Sequence, residues 1–265
     1  MGKLSDYAEN KVLDHVLKNT AYSRPANLYL GLCTVLVTDA DTGGSVTEVS
    51  GGSYTRIAAD SWDVASGRAT TNSTVMSFPT SSADWGVTRG WMIADVSTLS
   101  TGNIIAYGDF SPAKMIVSGD SVDIDKGQLA ISFNKGGSSD YLANALLDHL
   151  FYNTPFAQPA GLYMALSTVQ IVDADTGSTI SEPAGGYTRT LVDNWDAAIA
   201  GESSNTDIIE TAGASADWGN IAYLALTNHL TTGNILHHGD LATAVSIASG
   251  KYLKLLANSV TITLN

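Results

Sequence analysis

Cysteine is almost absent from this 265-residue chain, in which Cys33 is the only one. A single cysteine excludes an intrachain disulfide and a metal site built from cysteines. Cys33 lies in an apolar stretch, and the position that matches it in an internal repeat is Ser167. This setting favours a small buried side chain over a reactive thiol.

Basic residues are also scarce, with 13 Lys and Arg against 26 Asp and Glu and a formal net charge of −13. Such a balance argues against nucleic acid and anionic membrane as partners. The sequence contains no apolar run of the ~20 residues that a membrane helix needs. Hydrophobic residues make up 44 % of the chain, which is ordinary for a globular protein.

The dominant feature is a stretch that occurs twice, 134 positions apart. Residues 5–49 match residues 139–183 without a gap at 22 of 45 positions, including the whole run Asp-Ala-Asp-Thr-Gly at 39–43 and 173–177. Later matches shift only by loop-sized deletions. The sequence therefore predicts two domains related by duplication: a first repeat at 1–134, a Gly-rich linker at 135–138 and a second repeat at 139–265. Each repeat is long enough to bury a core of its own.

Each repeat should begin with a helix, at 5–19 and at 139–153. Apolar residues recur there at helical spacing, and Asp6 with Glu9 suggests a capping box. Asn-Thr pairs and the prolines Pro25 and Pro159 should end the helices.

Short alternating segments and turn signals follow each helix. We expect strands that include residues 28–33, 54–56 and 87–94 in the first repeat, with counterparts in the second. The fold class predicted is mainly β, with two tandem β-sandwich-like domains, each carrying one N-terminal helix and related by pseudo-symmetry.

The acidic loops offer the first candidate site. Asp39, Asp41 and Gly43, with Glu48 beyond them, resemble a calcium loop because alternating acidic residues can converge on a hard cation. The spacing departs from the EF-hand pattern, and a hairpin turn is the preferred reading. Gly51-Gly52 lacks the Lys-Ser/Thr and the following helix of a phosphate loop.

Histidines offer the second candidate site. Asp14-His15 and Asp148-His149 are adjacent on their helices, where neighbours do not face each other, and no nucleophile is marked nearby. A structural role, such as hydrogen bonding to a strand or to the other repeat, is favoured. His237-His238 matches Ala106-Tyr107 in the first repeat, which disfavours a metal site.

Tryptophans offer the third candidate site. Trp62, Trp85, Trp195 and Trp218 recur beside Asp, as in some sugar-binding surfaces, although buried tryptophans are the commoner case. Trp91 has no matching tryptophan, since Tyr223 or Leu224 occupies its place. The sequence thus predicts no catalytic residue, no cofactor and no metal site.

Scattered residues give both halves a family resemblance. They are Ser5-Asp6-Tyr7, Asn10, Leu13-Asp14-His15, Pro25, Leu28-Tyr29-Leu30, Glu48, Gly51-Gly52, Tyr54, Arg56, Trp85-Gly86, Gly102-Asn103-Ile104 and Gly119-Asp120. With them the chain resembles a family of small tailed-phage virion proteins, described as tail-fibre-like or as capsid decoration proteins. The tandem fusion departs from the single units usual there.

The resemblance implies a non-enzymatic structural protein of the virion. The leading hypothesis is a capsid decoration (cement) protein that braces the lattice of the major capsid protein and self-associates on the particle. The alternative is a tail or tail-fibre component that binds a host receptor such as a carbohydrate. A hydrolase would need converging carboxylates, for which the sequence offers no motif.

Overall fold

The structure is a computed structural model that describes residues 2–264; the outermost residues of the two predicted repeats, 1 and 265, lie outside it. It contains helix α1 (Asp6–Leu17) and helix α2 (Asp140–Leu147), which continues as a π-helical turn (Asp148–Tyr152). No helix in this part of the chain is both long and apolar enough to span a membrane. The rest of the ordered backbone is strands and turns, which confirms the mainly β prediction.

Within residues 2–264, nine strands lie in the first repeat and eight in the second. The first set is β1 (Lys3–Leu4), β2 (Tyr29–Cys33), β3 (Ile57–Ala58), β4 (Ala69–Thr71), β5 (Met76–Ser77), β6 (Gly86–Ala94), β7 (Ile104–Ile116), β8 (Asp123–Ile124) and β9 (Ala130–Ser132). The second set is β10 (Tyr163–Ser167), β11 (Thr190–Leu191), β12 (Glu202–Ser204), β13 (Ile209–Glu210), β14 (Gly219–Thr227), β15 (Ile235–Ile247), β16 (Lys254–Leu255) and β17 (Thr261–Thr263).

The two repeats share one topology, except that strand β1 of the first repeat is matched in the second only by an isolated bridge between Ser138 and His237. The first has an antiparallel sheet in the order β1-β7-β6-β2-β3, and the second has β11-β10-β14-β15. Each repeat adds two small two-stranded sheets, β4-β9 and β5-β8 or β12-β17 and β13-β16. Equivalent long strands have equal lengths: five residues in β2 and β10, nine in β6 and β14, thirteen in β7 and β15. The predicted pseudo-symmetry of two β domains is therefore present.

Both helices begin on a serine rather than on the predicted capping box. The hydroxyl of Ser5 accepts from the amide of Ala8, and the hydroxyl of Ser139 accepts from that of Leu142. Asp6 is thus the first helical residue, not the cap, because the side chain that precedes it already satisfies the free amide. Asn19 and Asn153 have φ values of 55° and 61° and end the helices as predicted.

The strands predicted at 54–56 and 187–189 are wrong. Regular pairing begins only at Ile57 and Thr190, because the side chains of Tyr54 and Arg56 turn inward to a buried carboxylate. Arg56 Nη2 donates to Glu48 Oε2 at 2.9 Å, and both side chains are almost fully buried. Arg189 and Glu182 repeat the pair with Nε to Oε1 at 2.7 Å.

The main hydrophobic core runs through both repeats. It includes Leu30, Leu32 and Ile131 of the first repeat and Leu166 and Ile262 of the second, together with the apolar faces of both helices. A smaller cluster, with Cys33 and Met92, lies on the opposite face of the first large sheet. The two-sided apolar strand predicted for residues 28–33 is thus present as β2. The core is continuous across the predicted domain boundary, so the repeats stabilise each other.

We predict that Cys33→Ser destabilises the protein by about 1 kcal/mol or less. Cys33 is fully buried and burial raises the pKa of its thiol to about 12, so the thiol has no reactive form at neutral pH. A serine already fills the equivalent place, where Ser167 Oγ donates to the carbonyls of Val169 and Ser181. Urea unfolding of Cys33→Ser and of the reciprocal control Ser167→Cys measures this. A loss above about 3 kcal/mol for Cys33→Ser alone would mean that the two sites differ in packing.

Candidate functional site

A set of reciprocal polar contacts lies where the two helices meet the opposite repeats; we call it the repeat interface. Helix α1 packs against β7 of its own repeat and β12 of the other, and α2 packs against β15 and β4 in the same way. Each contact therefore has a counterpart with the repeats exchanged. This reciprocity is the geometry of a twofold, isologous dimer, here built within one chain.

Helix carboxylates and amides hold the opposite repeat by its backbone. Asp14 Oδ1 accepts from the amide of Ala198 at 2.9 Å, and Asp148 Oδ1 accepts from that of Ala65 at 2.7 Å. One turn earlier, the Oδ1 atoms of Asn10 and Asn144 accept from the amides of Gly201 and Arg68. These four bonds satisfy loop amides that the small sheets leave unpaired.

The imidazoles of His15 and His149 stack on each other at the centre of the repeat interface. Their ring centroids lie 5.2 Å apart with an interplanar angle of 17°. Each Nδ1 accepts from a backbone amide, that of Tyr22 for His15 and that of Phe156 for His149. Each Nε2 faces the carbonyl of the other loop, at 2.8 Å for Phe156 and 3.1 Å for Tyr22.

These bonds fix the tautomer of both rings. A ring nitrogen that accepts from an N–H carries no proton, so the proton of each neutral imidazole is on Nε2 and is donated to a carbonyl. Burial, together with the nearby His15, lowers the pKa of His149. Both nitrogens of each ring are occupied and the adjacent aspartates bind backbone amides. The Asp-His pairs are therefore placed as structural links between repeats, and no base is left free in them.

The symmetry of the repeat interface is broken at several matched positions, one of which also involves the linker. Arg68 in the first repeat corresponds to Gly201 in the second. The guanidinium of Arg68 is buried and donates to the carbonyls of Asn134 and Ser138, with Nη1 2.7 Å from the Ser138 oxygen. It also lies 3.7 Å from Asp173. Arg68 thus anchors the linker to the first repeat.

Glu9 fills the space that Gly201 leaves. A Cβ on Gly201 would collide with the Glu9 carboxylate, and Glu9 itself is buried. Burial, followed by the charges of Asp39 and Asp6, raises the pKa of Glu9 to about 8. The carboxyl is therefore largely neutral at pH 7, a state that burial favours.

We predict that Glu9→Gln stabilises the protein at pH 8 and changes little at pH 4.5. In the unfolded chain Glu9 ionises near pH 4.5, whereas in the folded chain it holds its proton to about pH 8. Stability from the neutral group is therefore full below pH 4.5 and is lost as the pH rises to 8. Melting temperatures from pH 4.5 to 8 should diverge between wild type and Glu9→Gln, but not for Glu202→Gln, an exposed control. Parallel curves would contradict a neutral Glu9.

The acidic loops use their carboxylates internally. Asp41 accepts from the amide and hydroxyl of Thr38 and from the hydroxyl of Ser45. Partial burial opposes ionisation, but these hydrogen bonds outweigh it and lower the pKa of Asp41. Asp175 makes the matching bonds to the Val172 amide and the Thr179 hydroxyl. The loops have the geometry of turns stabilised by their own side chains.

The first aspartate of each loop reaches the long strand of its sheet. Asp39 accepts from the hydroxyl of Tyr107, and Asp173 Oδ1 lies 2.9 Å from Nε2 of His238. Partial burial alone would raise the pKa of Asp173, but hydrogen bonds from His238 and the Gly136 amide hold it below the usual range. Within residues 2–264, no group of three or more His, Cys, Asp or Glu side chains is arranged to hold a metal ion.

All four tryptophans that stand beside aspartate are buried. Trp62, Trp85, Trp195 and Trp218 are between 3 % and 5 % exposed. Their indole N–H groups donate to backbone carbonyls, those of Ala59, Gly52, Val192 and Gly185 respectively. They stabilise turns and the core, so a sugar-binding surface made from exposed tryptophans at these positions is not present.

Comparison with known proteins gives one family. The model of the family described as "Podophage GP4 fiber I protein gp80" matches residues 3–132 and, a second time, residues 137–263. The two matches coincide with the two repeats and together span almost the whole chain. A search of curated proteins found no match.

Proposed function

Because the chain belongs to the podophage GP4 fiber I protein gp80 family, we propose that it serves as a non-catalytic structural component of a phage fibre. The family match over both repeats carries this proposal. Its membership makes it a phage virion structural protein with a tandem duplication. The repeat interface supports the non-catalytic part, since its histidines, aspartates and asparagines all bind backbone groups.

The partners we propose are other proteins of the virion, with self-association on the particle. Fusing two similar units gives a second contact a high effective concentration once the first has formed. A protein with two matched faces therefore suits an assembly of repeated subunits. The net charge of −13 supports protein surfaces, rather than nucleic acid or anionic membrane, as its contacts.

A second candidate is decoration of the capsid shell, with the major capsid protein as partner. The reciprocal contacts at the repeat interface favour it, because an internal twofold arrangement can match a twofold position in a lattice. A third candidate is a fibre tip that binds a host receptor. Its binding surface would lie outside the four Trp-Asp pairs, whose tryptophans are buried.

Location on the particle separates these candidates. We predict that gold-labelled antibodies against this chain mark the fibres or tail of intact virions in electron micrographs. A matched control is an antibody against the major capsid protein, which should mark the shell. Label spread evenly over the shell would establish decoration instead, and label on neither structure would contradict a virion role.

We also propose that the chain consists of two domains, 1–134 and 139–265, joined by the linker 135–138. Each domain folds as a unit, but its interface has to be covered by the helix of a second unit. Residues 1–134 alone would leave the partner faces of α1 and β4 uncovered. We predict that this fragment folds and forms a homodimer in which Asp14 binds Ala65 of the second copy, as Asp148 does in the full chain.

Light scattering measures the mass of this fragment, and Asp14→Arg is the matched variant that should shift it to monomer. Circular dichroism checks that both fragments retain β structure. A folded wild-type fragment that stays monomeric at high concentration, or one that does not fold, would contradict this account of the domains.

A further inference from the structure

Trp91 of the first repeat has no tryptophan counterpart in the second, and the structure shows which residue stands in its place. Trp91 lies opposite Leu32 on one side and Gly108 on the other in the large sheet. Leu224 occupies the matching place, opposite Leu166 and Gly239. The bicyclic indole of Trp91 is therefore replaced by the smaller side chain of Leu224 on the matching face of the second large sheet.

Gly2 and Gly108 lie against the indole of Trp91 and show how much space it occupies. In the first repeat, a Cβ on Gly2 would collide with the Trp91 ring, and one on Gly108 would lie 2.6 Å from its Cζ2. Their counterparts, Gly136 and Gly239, have nothing within 4 Å of that position among the described residues. The second repeat thus keeps the two small residues that make room for a ring, but lacks the ring.

A cavity of about 260 Å³ lies there. Its walls include core residues Met164, Trp195 and Ile262, and its rim includes Asp240 and Ser259, which are exposed to solvent. The first repeat has a groove of about 530 Å³ at the matching place, lined by the core residues Ile124 and Leu129 and by Trp91, which stands where the second repeat has Leu224. A cavity of ~150 Å³ in another protein core is enough to bind benzene.

One residue that lines this cavity has a polar atom without a partner. His237, which replaces Ala106 of the first repeat, lines the cavity. Its Nδ1 is buried and has no hydrogen-bond partner within residues 2–264. Burial, followed by the neighbouring His238 and Arg68, lowers the pKa of His237 to about 4, so the ring is neutral. Unpartnered buried polar groups are costly, and a ligand can supply the missing bond.

We propose that the cavity over Gly239 is a binding site for a small aromatic molecule of about the size of indole, with one polar edge group directed to His237. The first repeat supplies the argument for the ligand, because there the same space is filled by an indole. The site is independent of the proposed structural function and of the position of the protein on the particle.

Calorimetric titration of indole into the full-length protein tests the proposal. We expect saturable binding of one indole per chain. Leu224→Trp places the chain's own indole in the cavity and should weaken binding at least tenfold without lowering the melting temperature. The matched control Leu230→Trp adds a tryptophan at an exposed position and should leave binding unchanged.

The polar contact has its own test. Indene has the shape of indole without the N–H, and wild type should bind it more weakly, whereas His237→Ala should bind the two equally. Absence of saturable indole binding, equal affinity in Leu224→Trp, or failure of that variant to fold would each overturn the site. An unchanged preference in His237→Ala would overturn the role of His237.

Discussion

The structure depends on reciprocal docking of each N-terminal helix into the opposite repeat. Asp14 and Asp148 each hold a backbone amide across the boundary, and the stacked imidazoles of His15 and His149 lie at the centre. Because the contacts come in matched pairs, the docking has the geometry of an isologous dimer within one chain. A continuous core follows, in which neither repeat has a complete apolar face without the other.

After duplication the two repeats could change independently. They differ at positions where a large side chain in one repeat is matched by a small one in the other. Arg68 secures the linker, whereas its counterpart Gly201 makes room for the neutral carboxyl of Glu9. Trp91 packs over Gly108 in the first sheet, whereas the smaller Leu224 lines a cavity over Gly239 in the second. The scaffold stays the same in both cases because only the side chains differ, and the backbone pairing of Trp91 in β6 is repeated by Leu224 in β14.

Much of the fold could be predicted from the chain, since helices, the two-sided strand β2 and the duplication are carried by local periodicity and by identity at a fixed spacing. The inward turn of Tyr54 and Arg56 could not, because the carboxylate of Glu48 that draws them in becomes a neighbour only after folding. The sequence favours hydrogen bonding of the Asp14-His15 pair to a strand or to the other repeat, but it does not indicate which residues they meet there, because those partners become neighbours only after folding. Of the residues singled out in the sequence, the unmatched Trp91 and His237 are the two that led to a site.

A double-mutant cycle between His15 and His149 tests the central claim most directly, because it measures the contact between repeats in the intact chain. The free energy of unfolding is determined by urea for wild type, His15→Ala, His149→Ala and the double variant. Stacked rings that share one hydrogen-bonded cluster should show a coupling free energy of about 0.5–3 kcal/mol. Strict additivity of the two substitutions would mean that the helices do not meet, and would contradict reciprocal docking.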